Sequence, residues 1–280
     1  MLIVDAQVHT WAAHTPERPW PSDIEPHRPV PFSTDDLLKD MNEAGVDRAV
    51  LVPPSWEGAR NELALAAAQA HPDRFAVMGR IRADLLATSQ GALVHWKKPK
   101  GMLGMRLAFN NKNAPEIFSS GKLDWLWKEA ELYQVPLMIL VWHSEVHFID
   151  AIAQKYPGLK ILMDHFALNS LQRDEIAFRD FAKLLDIAKR PNVAVKASAL
   201  PCYTNDIYPY RSLHPYIRQA YDAFGPSRLF WGTDISRSPI TYQQQITFFT
   251  EELSWLTQND KELIMGRGLC DWLGWPYQGK

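Results

Sequence analysis

The 280-residue chain holds only two cysteines, Cys202 and Cys270, far apart in sequence. That excludes a disulfide scaffold or a thiolate zinc site and fits a reducing compartment, read here as the cytoplasm. No segment approaches the ~20 consecutive apolar residues of a membrane helix. Nor do the first residues run from a basic segment into an apolar one, because Asp5 interrupts at once. Charge of one sign is lacking too: 30 Lys and Arg against 32 Asp and Glu leave a formal net charge of −2. Neither nucleic acid nor an anionic membrane finds a field to bind. Repeats, low-complexity tracts and linkers are missing, so residues 1–280 read as a single domain. A small-molecule substrate is the partner class left.

What is present is regular. Hydrophobic residues make up 46 % and charged residues 22 %, an ordinary globular balance with enough apolar side chains for a large core. Eleven Trp and twenty Pro serve either bulky packing and stiff loops or an aromatic-walled pocket, and aromatic surface would suit a homo-oligomer. Strand-like runs at 2–9, 48–52, 75–81, 102–109, 136–143, 160–166, 193–199 and 228–234 alternate with helix-like segments. Those segments are 33–44, 61–70, a weak one at 85–94, 123–133, 146–156, 175–188 and 216–224, with 242–255 and 261–273 closing the chain. Ser33 or Thr34 caps the first helix and Gly45 supplies its left-handed stop. Eight continuously apolar strands with short connections predict an α/β fold, a (β/α)8 TIM barrel. The competing doubly wound open sheet lacks a glycine-rich phosphate loop after its first strand.

Barrels of this kind carry their sites at the C-terminal ends of the strands. In Asp5-Ala6-Gln7-Val8-His9, period-two alternation sends Gln7 and His9 to one side, and Leu229-Phe230-Trp231-Gly232-Thr233-Asp234 delivers a carboxylate from the last strand. Arg106, His143, Asp164, His165 and Lys196 end or lie within strands between them. A lone His at a strand end is more often structural than a ligand, and Asp164 suits holding a loop better than catalysis. Lys196 reads equally as half of an interior ion pair or as a substrate contact. Arg106, between Met105 and Leu107, must find an anion if buried. The loop 11–32, with Trp11, Trp20, His27 and Arg28, either covers the pocket or stiffens the surface. Tyr203 and Arg237 share the rim, and Arg106, Arg237 and Lys196 together suggest an anionic substrate.

These motifs, with Gly101-Met102-Leu103-Gly104-Met105-Arg106-Leu107, Asp164-His165-Phe166-Ala167 and a terminal segment at 261–268, span nearly the whole chain. Together they resemble the amidohydrolase superfamily. The similar branch is the amidohydrolase-related TIM barrels, among them pyrone-dicarboxylate and sugar-acid lactonases, sulfomuconolactone hydrolases and aminocarboxymuconate-semialdehyde-type decarboxylases. The resemblance implies a hydrolase that opens a small lactone by water attack, with Asp234 as general base. His9 and His165 would then donate hydrogen bonds to the carbonyl oxygen, and Arg106 would clamp a carboxylate. Gln7, Trp11, Lys196, Tyr203 and Arg237 would bind substrate. In metal-dependent relatives, the positions of His9, His143 and Asp234 hold a zinc-like divalent metal. Gln7 stands where the family's first His is expected, which implies weak or absent metal and no organic cofactor. The alternatives are a metal-dependent non-oxidative decarboxylase on the same barrel and a non-catalytic barrel that binds small anions.

Overall fold

The computed structural model describes residues 1–20, 25–28, 30–81 and 86–277. Eight strands follow one another in the sheet in chain order: β1 Val4–Val8, β2 Arg48–Leu51, β3 Phe75–Gly79, β4 Met102–Ala108, β5 Leu137–Leu140, β6 Ile161–Met163, β7 Val193–Ser198 and β8 Leu229–Gly232. Neighbours from β1 to β8 pair in parallel. The seam between β8 and β1 is bridged where the Asp234 N–H donates to the Gln7 carbonyl at 3.0 Å. The Asp5 carboxylate reinforces it by accepting from the Thr233 N–H at 2.9 Å, the Thr233 hydroxyl, and the Tyr242 hydroxyl at 2.6 Å. This is the expected (β/α)8 barrel.

Helices α1 Thr34–Ala44, α2 Glu62–Ala70, α3 Ala114–Ser119, α4 Asp124–Leu132, α5 Val146–Lys155, α6 Asp174–Phe178, α7 Phe181–Asp186, α8 His214–Phe224, α9 Tyr242–Thr247, α10 Gln258–Glu262 and α11 Gly268–Leu273 surround it. Ser33 caps α1 through a reciprocal pair with Asp36, and Gly45 ends it at φ 76°. Several expected helices are shorter or broken. The segment expected at 85–94 is two 3-10 turns, Leu86–Thr88 and Ala92–His95, and its first residue lies outside the described residues. The segment 175–188 divides into α6, α7 and a 3-10 turn, and wider π turns, Phe248–Glu252 and Leu263–Arg267, interrupt the last two helices. Among the described residues, no helix is long and apolar enough to cross a membrane.

Two apolar layers follow from strand alternation. Val4, Ala6, Val50, Ala76, Met78, Met138, Leu162, Ala194 and Phe230 fill the barrel, and Leu269, Leu273 and Trp275 plug one end. Val8, Leu51, Val77, Ile139, Val195 and Trp231 lie in the outer layer packed by the helices. A Cβ at Gly266 would collide with the Leu2 carbonyl, so glycine there lets the chain end press against the start of β1. The alternation breaks once where it matters. Val4 and Ala6 face inward, so strict alternation would turn Gln7 and His9 outward. A bulge between Asp5 and Val8 inserts one residue relative to β2 and resets the phase, turning Gln7 and His9 into the barrel.

Asp5→Ala is expected to destabilise the fold by about 3 kcal/mol or more, because it strands the buried Thr233 N–H and two hydroxyls at the seam. Urea denaturation measures this, and a loss below about 1 kcal/mol would show that the seam does not depend on this carboxylate.

Candidate active site

A cavity of about 230 Å³ opens at the C-terminal ends of the strands. Gln7, His9, His27, Trp56, Arg106 and Trp142 line one part of its wall, and His165, Tyr203, Asp234 and Arg237 another. Backbone geometry delivers two of these groups. His165 after β6 and Asp234 after β8 both sit in the left-handed region, at φ 48° and 49°. A non-glycine residue held there costs about 1–3 kcal/mol, a strain that clusters at functional sites. The turn swings each side chain over the barrel mouth.

Asp234 is the centre of the cluster. Its Oδ2 accepts from Arg237 Nε at 2.6 Å, and Arg237 reaches on to the Tyr203 hydroxyl at 3.2 Å. Its Oδ1 is buried with no hydrogen-bond donor among the described residues and lies 3.2 Å from His9 Nε2. His165 Nε2 is 3.7 Å from Oδ2. Burial would raise this carboxyl, but the Arg237 guanidinium, with His9, His27 and His165 around it, holds it well below the usual carboxylate range. Burial drives both imidazoles the other way: His9 is pushed down to about 4 and His165 to about 3. Both are therefore neutral at pH 7, with one ring proton each.

Hydrogen bonding locates those protons. His9 Nδ1 meets the Val52 carbonyl at 2.6 Å, and a carbonyl only accepts, so the proton is on Nδ1. His165 Nδ1 contacts Ser198, at 2.7 Å to the hydroxyl and 3.3 Å to the carbonyl. The Gln7 amide nitrogen faces both Nε2 atoms, at 3.5 Å to His9 and 3.2 Å to His165. Nε2 is thus a lone pair in each ring. In this pattern the cavity side of each neutral ring is an acceptor, whereas the role expected of His9 and His165 toward a substrate carbonyl needs a donor there.

Beneath this layer Lys196, fully buried, pairs with Asp164 at 2.8 Å, and Arg106 Nε reaches the same carboxylate at 3.3 Å. Lys196 is therefore the interior ion pair of the two readings; it does not line the cavity, whereas Arg106 does.

Residues 4–267 match the family model described as amidohydrolase. The chain belongs to the amidohydrolase family. Over 234 residues it is 26 % identical to an L-fucono-1,5-lactonase of Burkholderia ambifaria, covering 82 % of this chain and 79 % of that protein. It is 26 % identical over 222 residues to a 4-sulfomuconolactone hydrolase of Rhizobium radiobacter, covering 75 % and 68 %. A Burkholderia multivorans amidohydrolase crystallised with bound zinc shares the fold, at a TM-score of 0.82 and 19 % identity over 99 % of this chain and all of that one.

In this amidohydrolase the donor set does not suit a divalent metal. Among the described residues no three His, Cys, Asp or Glu side chains are disposed to hold one. Gln7 turns its NH2 group, a donor, toward the lone pairs of His9 and His165 that a metal would need. His143 does not join the cluster. Leu140 and Trp142 face the cavity, so alternation turns His143 away, where its Nε2 meets the Phe166 carbonyl at 2.9 Å and its ring packs on Phe181. The expected ligand triad of His9, His143 and Asp234 is therefore split.

Trp11 also stands back from the cavity. It packs edge-on against Trp56, 5.2 Å between centroids, and the chain beside it bridges to Phe32, which ties the loop down at both ends. Arg28 binds the carbonyls of Ile235 and Ser236, and Trp20 packs on the core, while His27 lines the wall. Residues 21–24 and 29 of that loop lie outside the described residues. Trp56, Asn110 and Trp142 escaped the sequence reading of the site; their signal was position alone, one to a few residues beyond a strand end.

The neutral imidazoles set a pH dependence. Unfolded, each ring takes up a proton near 6.5; folded, His9 does so near 4 and His165 near 3. The unfolded chain binds more protons in that window, so the stability from neutral burial is complete above pH 6.5 and is lost as pH falls through those values. Urea midpoints of the wild type and His165→Asn should therefore converge as pH is lowered from about 7 to about 4. A constant gap would mean that folding leaves the proton affinity of His165 unshifted.

Proposed function

We propose that this amidohydrolase hydrolyses a small anionic lactone, or a similar cyclic ester, by water attack on the carbonyl carbon. One observation carries the reading: Asp234 Oδ1 is a buried acceptor with no hydrogen-bond donor among the described residues, opening on the cavity next to a lone pair of His9. A water donating to Oδ1 is held and polarised there. As its oxygen bonds to the carbonyl carbon, its proton passes to Oδ1. That carboxylate alone is a weak base, because Arg237 grips it. The His9 lone pair across the 3.2 Å gap offsets this by sharing the incoming proton. Collapse of the tetrahedral intermediate breaks the ring C–O bond, and the proton returns to the leaving alkoxide.

With the imidazoles unable to donate, Arg106 takes over stabilisation of developing negative charge. Its Nη groups have no carboxylate among the described residues, only Nε being spent on Asp164. The guanidinium fork suits an oxyanion or a substrate carboxylate. The names of both curated relatives, a lactonase and a muconolactone hydrolase, support a lactone substrate. The metal-dependent decarboxylase reading gains nothing from a donor set that presents the Gln7 amide to a cation. Both cysteines are unpaired, which supports a cytoplasmic setting.

Asp234→Asn is expected to lower kcat on a responsive lactone by about 10²–10⁴-fold while binding, read by fluorescence of Trp56 and Trp142, persists. Near-normal turnover in that variant would refute the base, and binding without turnover by the wild type across a lactone panel would favour the non-catalytic barrel. Arg106→Met should lower kcat/KM for carboxylated lactones by about 10–100-fold. Equal wild-type turnover of neutral and carboxylated lactones would refute the anionic substrate.

A further inference from the structure

Below the reacting cluster lies a polar arrangement with little freedom. Lys196 sits in the middle of β7, and its ammonium donates to two side-chain atoms and pairs with one carboxylate. These are Asp164 Oδ1 at 2.8 Å, Met138 Sδ at 3.1 Å and the Gln7 side-chain oxygen. An ammonium only donates, so Gln7 must turn its oxygen down toward Lys196 and its NH2 up toward the cavity. The two amide protons then meet His165 Nε2 and His9 Nε2. The opposite face of each ring agrees independently, because the Val52 carbonyl demands a proton on His9 Nδ1 and the Ser198 carbonyl, 3.3 Å from His165 Nδ1, can only accept one.

We propose that Lys196 is a built-in cation that replaces a resident metal: through Gln7 it fixes both imidazoles as Nδ1–H tautomers and bars a divalent ion from the space between His9, His165 and Asp234. Charge supports this. Among the described residues Lys196, Arg106 and Arg237 pair with two carboxylates, Asp164 and Asp234. A divalent ion would add to a surplus of positive charge and would meet amide protons where it needs a ligand. A metal-centred site gathers lone pairs onto an ion. Here a protein ammonium, one residue layer deeper, orders the same lone pairs without binding them directly. Lys196 and Gln7 are thus positioning residues. Their effect on the two rings is independent of whether the substrate is a lactone.

The decisive measurement uses the wild-type enzyme. Nitrogen-15 NMR of labelled histidine side chains at neutral pH should show both His9 and His165 as Nδ1–H tautomers with unprotonated Nε2. A proton on Nε2 of either ring would overturn the proposal. Wild-type protein incubated with zinc chloride and gel-filtered should retain less than about a tenth of an ion per chain, whereas Gln7→His/Lys196→Met should retain about one. Stoichiometric zinc in the wild type, lost in Asp234→Asn, would overturn the claim. So would a double variant that is folded by circular dichroism yet takes up no zinc. Gln7→Leu leaves the Lys196–Asp164 pair in place and should blur the single tautomer in at least one ring; an unchanged spectrum would show that the amide does not set it.

Discussion

Everything functional in this protein depends on one buried carboxylate that closes a ring. Asp5 accepts from Thr233 and Tyr242 across the seam and from the Gln7 N–H within its own strand. It therefore joins the first strand to the last and holds the bulge that turns Gln7 and His9 inward. Without that closure His9 and Asp234, 225 positions apart in a 280-residue chain, would have no reason to meet. With it, their side chains come within 3.2 Å.

The cavity built on this ring is organised by ordered protons more than by net charge. Burial keeps His9 and His165 neutral, and the Val52 and Ser198 carbonyls lie behind their Nδ1 atoms as acceptors. Their lone pairs converge beside a carboxylate with one open oxygen. The guanidinium of Arg237 steadies the spent oxygen of Asp234, and Arg106 turns an uncommitted end to the cavity. On the proposed reading, an anionic substrate would meet positive charge on approach and a proton acceptor at its carbonyl carbon.

Gln7 and Lys196 act as one unit: the amide oxygen turns to the ammonium, which leaves the NH2 group facing the two imidazoles. Neither residue explains the other in sequence, since they lie on the first and seventh strands.

Eight apolar runs at regular spacing sufficed for the barrel, because burial on both faces leaves little choice to a parallel strand. The cap and stop of α1 were equally legible, as Ser33 and Gly45 act within a turn of their own positions. Strand ends also pointed to His9, Arg106, His165, Tyr203, Asp234 and Arg237, all of which line the cavity. Phase was the part that local reading could not supply. A bulge turns Gln7 inward, alternation turns His143 outward, and left-handed residues re-aim His165 and Asp234. Each is a backbone displacement of a single residue, set by packing against strands distant in sequence. Local sequence therefore determined the strands and the chemical types at the rim, whereas tertiary contacts alone decided which atoms face one another and where their protons lie, because hydrogen-bond direction depends on partners that only the closed ring brings together.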